Sequence, residues 1–305
     1  MDTILILARQ ITIMFLLMGL GWILSKSGFL TSQGAKDLSH LLLRFVVPAI
    51  IIQSFLVERT PQRVHDFFWS FGLSLAVISF SVAVSRLLFH RPGHVIDHFG
   101  SAFCNAGFFG IPLVQAFLGE EAVFYIASFV MMIFFFQWTY GVYQFTKDRS
   151  MFRFRRLITN PVLIAFVIAL LLFFVQIPIP EIITTPLKMI SALNTPIAMI
   201  ILGSYLAKDR LIGIFTDRRA YAPVAVRLVL IPLLTIGLLT LLPDSLTTVR
   251  LAILIPSVAP IGANVAVFAG LYDQDYGKAV RIVCLSTLIS LVTIPLLVSL
   301  AQWLW

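Results

Sequence analysis

The sequence predicts an all-α integral membrane protein. We read ten spanning helices, arranged as two inverted five-helix repeats, with the fourth and ninth helices interrupted. Three observations lead there. Of the 305 residues, 59% are hydrophobic and only 12% charged, with a mean hydropathy of +0.98; a soluble domain could not hide that much apolar surface. A spanning helix needs roughly 20 apolar residues, and cutting the chain at its charged and Pro/Gly-rich breaks leaves ten such runs. The most basic stretch, KDRSMFRFRRLITN at 147–160, leaves five runs on either side.

The expected spans are 3–25, 38–56, 67–89, 96–117, 121–145, 160–177, 186–207, 220–242, 249–270 and 277–304. The first is too long for a signal-peptide core, contains Arg9 and lacks a basic region before it or a small-residue cleavage site after it, so it is expected to be retained. Cations set the orientation, because short cytoplasmic loops accumulate Lys and Arg. Of the 22 lysines and arginines, 15 fall at the odd-numbered loops and their helix edges, among them Lys36, Arg86, Arg91, Lys147 and Arg281. Five lie on the other side, Arg9, Arg59, Arg63, Lys188 and Arg250, and Arg44 and Arg227 fall within spans. Both termini are therefore expected on the non-cytoplasmic side. The same distribution explains the net charge of +8 without nucleic acid, since no basic domain studded with aromatics exists.

An odd number of helices per half requires two similar halves to be oppositely oriented, the inverted-repeat plan of many secondary transporters. The domains follow: 1–146, a basic cytoplasmic linker at 147–159, and 160–305. Faint internal likenesses agree, SFLV at 54–57 with SYLA at 204–207, and FGIPLVQAFLG at 109–119 with IGANVAVFAG at 261–270.

The fourth and ninth spans carry the chemistry. FCNAGFFGIPLV at 103–114 places Asn105, Gly107, Gly110 and Pro112 inside one span, and IPSVAPIGANVAVFAG at 255–270 places Pro256, Ser257, Pro260, Gly262 and Asn264 inside the other. Proline removes an amide donor and glycine permits the unwound conformations that follow. The backbone groups thereby released are tolerated in a membrane only when buried in protein or facing a wet cavity. Released amides at half-helix N-termini suit an anion and released carbonyls suit a cation. The candidate binding residues are Asn105, Gly107, Pro112, Ser257, Pro260, Gly262 and Asn264, with Asn194 and Arg44 as further contributors. Gln53, Gln137 and Tyr140 could complete such a site, although each alone is commonly a helix-to-helix hydrogen bond. Arg44 stands roughly 9 Å from its helix start, within snorkelling reach of the interface; Arg227 and Arg281 are weighed between snorkelling and attracting an anion.

NAGFFGIP at 105–112 resembles the Asn-x-x-x-x-Gly-Ile-Pro signature of the auxin efflux carrier family. APIGANVAVFAGLYDQD at 259–275 resembles the matching segment of the second half, and KSGFLT at 26–31 has the same look. The likeness runs over essentially the whole chain, whose compact length resembles the bacterial members. It implies ten helices in two inverted repeats with helices four and nine crossing at their breaks, Asn105 and Pro112 at the first break and Pro260 and Gly262 at the second. It also implies alternating access by one bundle moving against a scaffold. The substrate implied is a small organic anion, malate- or malonate-like or an auxin-like acid, and the location a bacterial inner membrane. Asn264 stands where the plant carriers have an apolar residue, so its role rests on the local argument. The plant carriers' charged pair in the third helix is also missing here, where only serines precede Arg86.

None of the fourteen acids falls deep within a span, which argues against an acid-based cation antiporter. His90, His94 and His98 are spaced by four, but Pro92 and Gly93 interrupt them, and nothing matches GxSxG or HExxH. No enzyme activity, metal or cofactor is expected. Cys104 and Cys284 lie in apolar runs and read as small hydrophobes. The expected partners are the organic anion and the lipid bilayer, with a homodimer as a possible assembly. The alternative is a membrane sensor or scaffold that keeps the carrier fold without transport.

Overall fold

The computed structural model describes residues 3–91, 93–148, 159–208 and 211–305. Most of the expected basic linker, with Arg149, Arg153, Arg155 and Arg156, lies outside the described residues, as do Asp209 and Arg210. The described chain is helical throughout, with one isolated antiparallel bridge and no strand. In order, the helices are α1 (Thr3–Lys26), α2 (32–54), α3 (Pro61–Leu88), the half-helices α4a (Val95–Ala102) and α4b (Ala106–Leu118), α5 (Glu120–Thr146), and α6 (Pro161–Val175). There follow α7 (Glu181–Ala207), α8 (Arg218–Thr240), the half-helices α9a (Thr247–Ser257) and α9b (Asn264–Leu271), and α10 (Tyr276–Leu304); a short helix, Leu211–Thr216, precedes α8. Among the described residues, six helices are long and apolar enough to cross a membrane: α1, α3, α5, α7, α8 and α10. Large apolar residues are exposed on several of these, such as Leu16 on α1 and Ile182 on α7, and on the shorter α6, such as Leu171, which suits a lipid environment.

Local chemistry explains the boundaries. Thr31, Thr60, Asn160 and Asp275 each accept a hydrogen bond from an amide in the first turn of the helix that follows, satisfying donors that have no intrahelical partner. Pro61 and Pro161 follow their caps, where a missing amide costs nothing. Within helices the chain uses a second device. Wide i→i+5 turns at Leu42–Val46, Ala106–Gly110 and Val226–Leu230 directly precede the α-helical turns carrying Pro48, Pro112 and Pro232. Proline cannot donate to the carbonyl four residues back and its ring crowds that carbonyl; the wider turn relieves both.

The core is built around two aromatic clusters, Phe55 with Phe67, Phe124, Phe166 and Phe173, and Phe99 with Phe103, Phe145 and Phe268. The second cluster lies against the interruption in α4. Helices α1 and α7 approach so closely that a Cβ at Gly203 would lie 2.0 Å from the Met18 carbonyl oxygen. This is the close backbone packing that small residues permit between membrane helices. At one end of the bundle, Lys278 Nζ lies 2.7 Å from the buried Asp97 carboxylate, tying the start of α10 to the start of α4a.

Candidate functional site

The two interruptions meet. Phe103 adopts an extended conformation at the end of α4a, and Cys104 pairs with Ile261 in the antiparallel bridge. Asn105 N–H donates to Pro260 O at 2.7 Å and Gly262 N–H donates to Phe103 O at 3.0 Å. The Ile261 amide donates to Ser286 Oγ of α10 at 3.1 Å. Much of the backbone freed by the breaks is thus paired across the crossing, as burial requires. Glycine is required by the approach: a Cβ on Gly262 would lie 3.1 Å from Cys104 O, and one on Gly110 would lie 2.9 Å from the Pro256 ring.

Four half-helix ends converge here, and they sort by polarity. The C-termini of α4a and α9a share one partner, Arg227 of α8. Its Nη1 lies 3.5 Å from both Ser101 O and Ala102 O, and its Nη2 donates to Ser257 O. The residue is fully buried. Its charge therefore sits at the negative ends of two helix dipoles and supplies donors to carbonyls that have no helical partner.

The N-termini of α4b and α9b face a separate small cavity of about 20 Å³, walled in part by Cys104, Asn105, Gly107, Gln137, Gly262 and Asn264. Asn105 caps α4b, its Oδ1 accepting from Phe108 N–H at 3.3 Å and its backbone carbonyl accepting from Phe109 and Gly110. Its Nδ2 is buried and has no hydrogen-bond partner. Asn264 Nδ2 donates to Gln137 Oε1 of α5 at 2.7 Å. The α9b N-terminus carries no side-chain cap. Asn194, where α7 restarts after Leu193, donates from Nδ2 to Gly107 O at 3.2 Å, leaving its buried Oδ1 without a partner.

The structure divides the expected site residues into three groups. Asn105, Gly107, Gly262 and Asn264 wall the cavity; Pro260 holds the crossing through its carbonyl, and Asn194 braces Gly107 from behind. Ser257 belongs to the Arg227 side, where its carbonyl is engaged and its hydroxyl donates to Leu254 O. Pro112 and Arg44 do not join the site. Pro112 stands beyond the wide turn of α4b and not at the crossing, and Arg44 is exposed on α2, whose Leu43 walls the cavity instead.

Sequence reasoning missed Ser286, because a serine in an apolar helix carries no positional signal. It weighed Arg227 between two roles and the structure gives a third, a cap shared by two broken helices. The histidines disperse: His94 pairs with Asp97 at 2.7 Å, His98 with Tyr140 Oη at 3.0 Å, and His90 with Leu87 O. No cluster of three potential metal ligands occurs among the described residues.

The sequence model of a family described as membrane transport protein matches residues 6–153 and 146–298, two stretches that cover nearly the whole chain and overlap in the basic stretch between its halves. No curated protein matches significantly. The chain belongs to this membrane transport family, that of the auxin efflux carriers, and is a multi-pass membrane protein of the transporter type.

Proposed function

We propose that the protein is a secondary carrier of a small organic anion, a malate- or malonate-like carboxylate or an auxin-like acid, bound where α4 and α9 cross. One observation carries the reading: residues at the N-termini of α4b and α9b wall the same cavity, among them Asn105, whose buried Nδ2 has no hydrogen-bond partner. Partial positive charge at two helix N-termini, together with an amide donor in surroundings of low dielectric, suits a carboxylate. The carbonyl side offers a free cation little, because Arg227 already occupies it.

The carrier is read as ten spanning helices in two inverted repeats, with α4a+α4b and α9a+α9b each counted as one. In this reading the protein sits in a bacterial inner membrane with both termini outside the cytoplasm, an orientation that the bias of 15 cations to five supports. A cavity of about 20 Å³ holds about one water molecule, so a dicarboxylate enters only after the bundle bearing the crossing moves against the remaining scaffold, in the manner of an elevator. Alternating exposure follows from that motion. Neither catalysis nor a cofactor is part of the reading, and a homodimer is its proposed assembly.

The test is uptake into proteoliposomes of labelled mono- and dicarboxylates, with and without proton and sodium gradients. Accumulation of at least one carboxylate above protein-free vesicles is expected. A full panel with neither uptake nor binding would favour a sensor with the carrier fold.

A further inference from the structure

A second polar region lies at the end of the bundle where α3 finishes and α4a begins. A cavity of about 320 Å³ is walled by Arg86, His90, Arg91, His98, Gln144 and Lys147, among others. No carboxylate appears in its lining among the described residues. The acids next in sequence to lining residues, Asp97, Asp148, Asp273 and Asp275, are not among the lining residues; Asp97 is held by Lys278 and His94, and Asp275 accepts from the Lys278 amide. Arg86 Nη1 and Lys147 Nζ both donate to one neutral acceptor, Gln144 Oε1, at 3.3 and 3.2 Å. Two cations thus converge on one neutral amide oxygen, and among the described residues neither forms an ion pair with a carboxylate. Placement of cations on the cytoplasmic side explains why arginine and lysine occur in this loop. It does not explain why they surround a cavity and share a buried glutamine.

Helix α5 contributes to both places, Gln137 walling the cavity at the crossing and Gln144 walling this one. Between them lies Tyr140, in a wide i→i+5 turn at Gln137–Gly141. Gln137 holds Asn264 at the crossing, Tyr140 meets His98 of α4a, and Gln144 carries the two cations. These three side chains form a polar ladder along α5.

We propose that this cavity is a second anion site, taking a polyvalent oxyanion: a dicarboxylate or free phosphate, or the phosphate of an anionic lipid headgroup. A soluble anion docked there stands at the outer end of the α5 ladder, one step from the crossing. That link rests on the carrier reading; the binding itself does not.

The test uses inorganic phosphate as probe, titrated calorimetrically into purified protein in neutral detergent at low ionic strength. Two proteins are compared: the wild type and R86Q/K147Q, which keeps amide donors and removes both charges. Arg86 and Lys147 are exposed, so the double variant is expected to melt like the wild type. The wild type is expected to bind phosphate, R86Q/K147Q at least tenfold more weakly, and added salt to weaken binding because screening sets in within about 8 Å at physiological ionic strength. Repeating the titration in nanodiscs with and without anionic lipid separates the two sources. Suppression by anionic lipid assigns the site to a headgroup, and persistence assigns it to a soluble anion. No phosphate binding by the wild type, or equal binding by R86Q/K147Q, would overturn the proposal, and uptake by the wild type would still stand for the carrier reading.

Discussion

The two sides of the crossing are built from the same parts and finished differently. On one side two helix C-termini present carbonyls, and a fully buried arginine from α8 meets both. On the other, two helix N-termini present amides, and the side chain that caps one of them, Asn105, keeps a free donor beside a small cavity. On the first side the three carbonyls have a donor from within the protein, although Arg227 Nε itself lacks a partner, whereas on the second the unpartnered donor belongs to a residue that walls a cavity. A buried donor without a partner costs roughly 1–3 kcal/mol, and such costs cluster at sites that await a ligand.

The largest effect is expected from breaking the carbonyl side. Arg227→Ala leaves three buried carbonyls without their donor, a loss of about 3–5 kcal/mol. We expect it to melt far below the wild type or to fail to accumulate, whereas Arg227→Lys, which keeps the charge and fewer donors, recovers part of the loss in thermal melting. Next comes the close approach itself. Gly110→Leu drives a side chain into the Pro256 ring, with an overpacking cost of about 1–3 kcal/mol, read as a lower melting temperature at unchanged helix content.

The amide side should respond in the opposite sense, losing binding more than stability. Gln137→Ala frees Asn264 Nδ2 from its partner and is expected to alter anion affinity severalfold with a stability change near 1 kcal/mol, measured by titration and melting on the same sample. The smallest effect lies away from the crossing. Arg219 and Arg281 hold the Asp217 carboxyl down to about 2. A folded value below the unfolded value of about 3.9 contributes stability above pH 4 that disappears as pH falls from 4 to 2. Asp217→Asn should therefore cost under about 1 kcal/mol at pH 7, seen as a slightly lower melting temperature, and the difference should shrink as pH falls and vanish below about pH 2.

Much of this arrangement was legible from residue type alone. Asn105, Gly107, Gly262 and Asn264 announced themselves as helix-breakers or amides where an uninterrupted span needs neither, and paired breaks in the two halves pointed to one place. Pro112 misled for a physical reason: a wide turn can absorb a missing amide, so a proline marks a disturbed helix without fixing where the chain unwinds. The unwound residues are Phe103 to Asn105, of which only one is a polar signal. Arg227 was visible as a charge in an apolar run, but its partners are main-chain carbonyls more than 25 residues away in sequence, which no side-chain pattern records. Arg250 was similarly hidden. Counted as a loop cation, it is buried, donating to Leu239 O and Asp244 and lying 4.9 Å from the Trp305 ring.

The central claim is that the amide side binds an anion, and Asn105→Asp tests it most directly. The substitution keeps the acceptor that caps α4b, removes the free donor and places a negative charge where the account puts the substrate. Equilibrium binding of the transported carboxylate to purified wild type and variant should show at least a tenfold loss of affinity, the scale of one hydrogen bond to a charged group, in a protein whose melting shows it folded. Unchanged affinity in a folded variant would contradict the account and move the binding site away from the crossing.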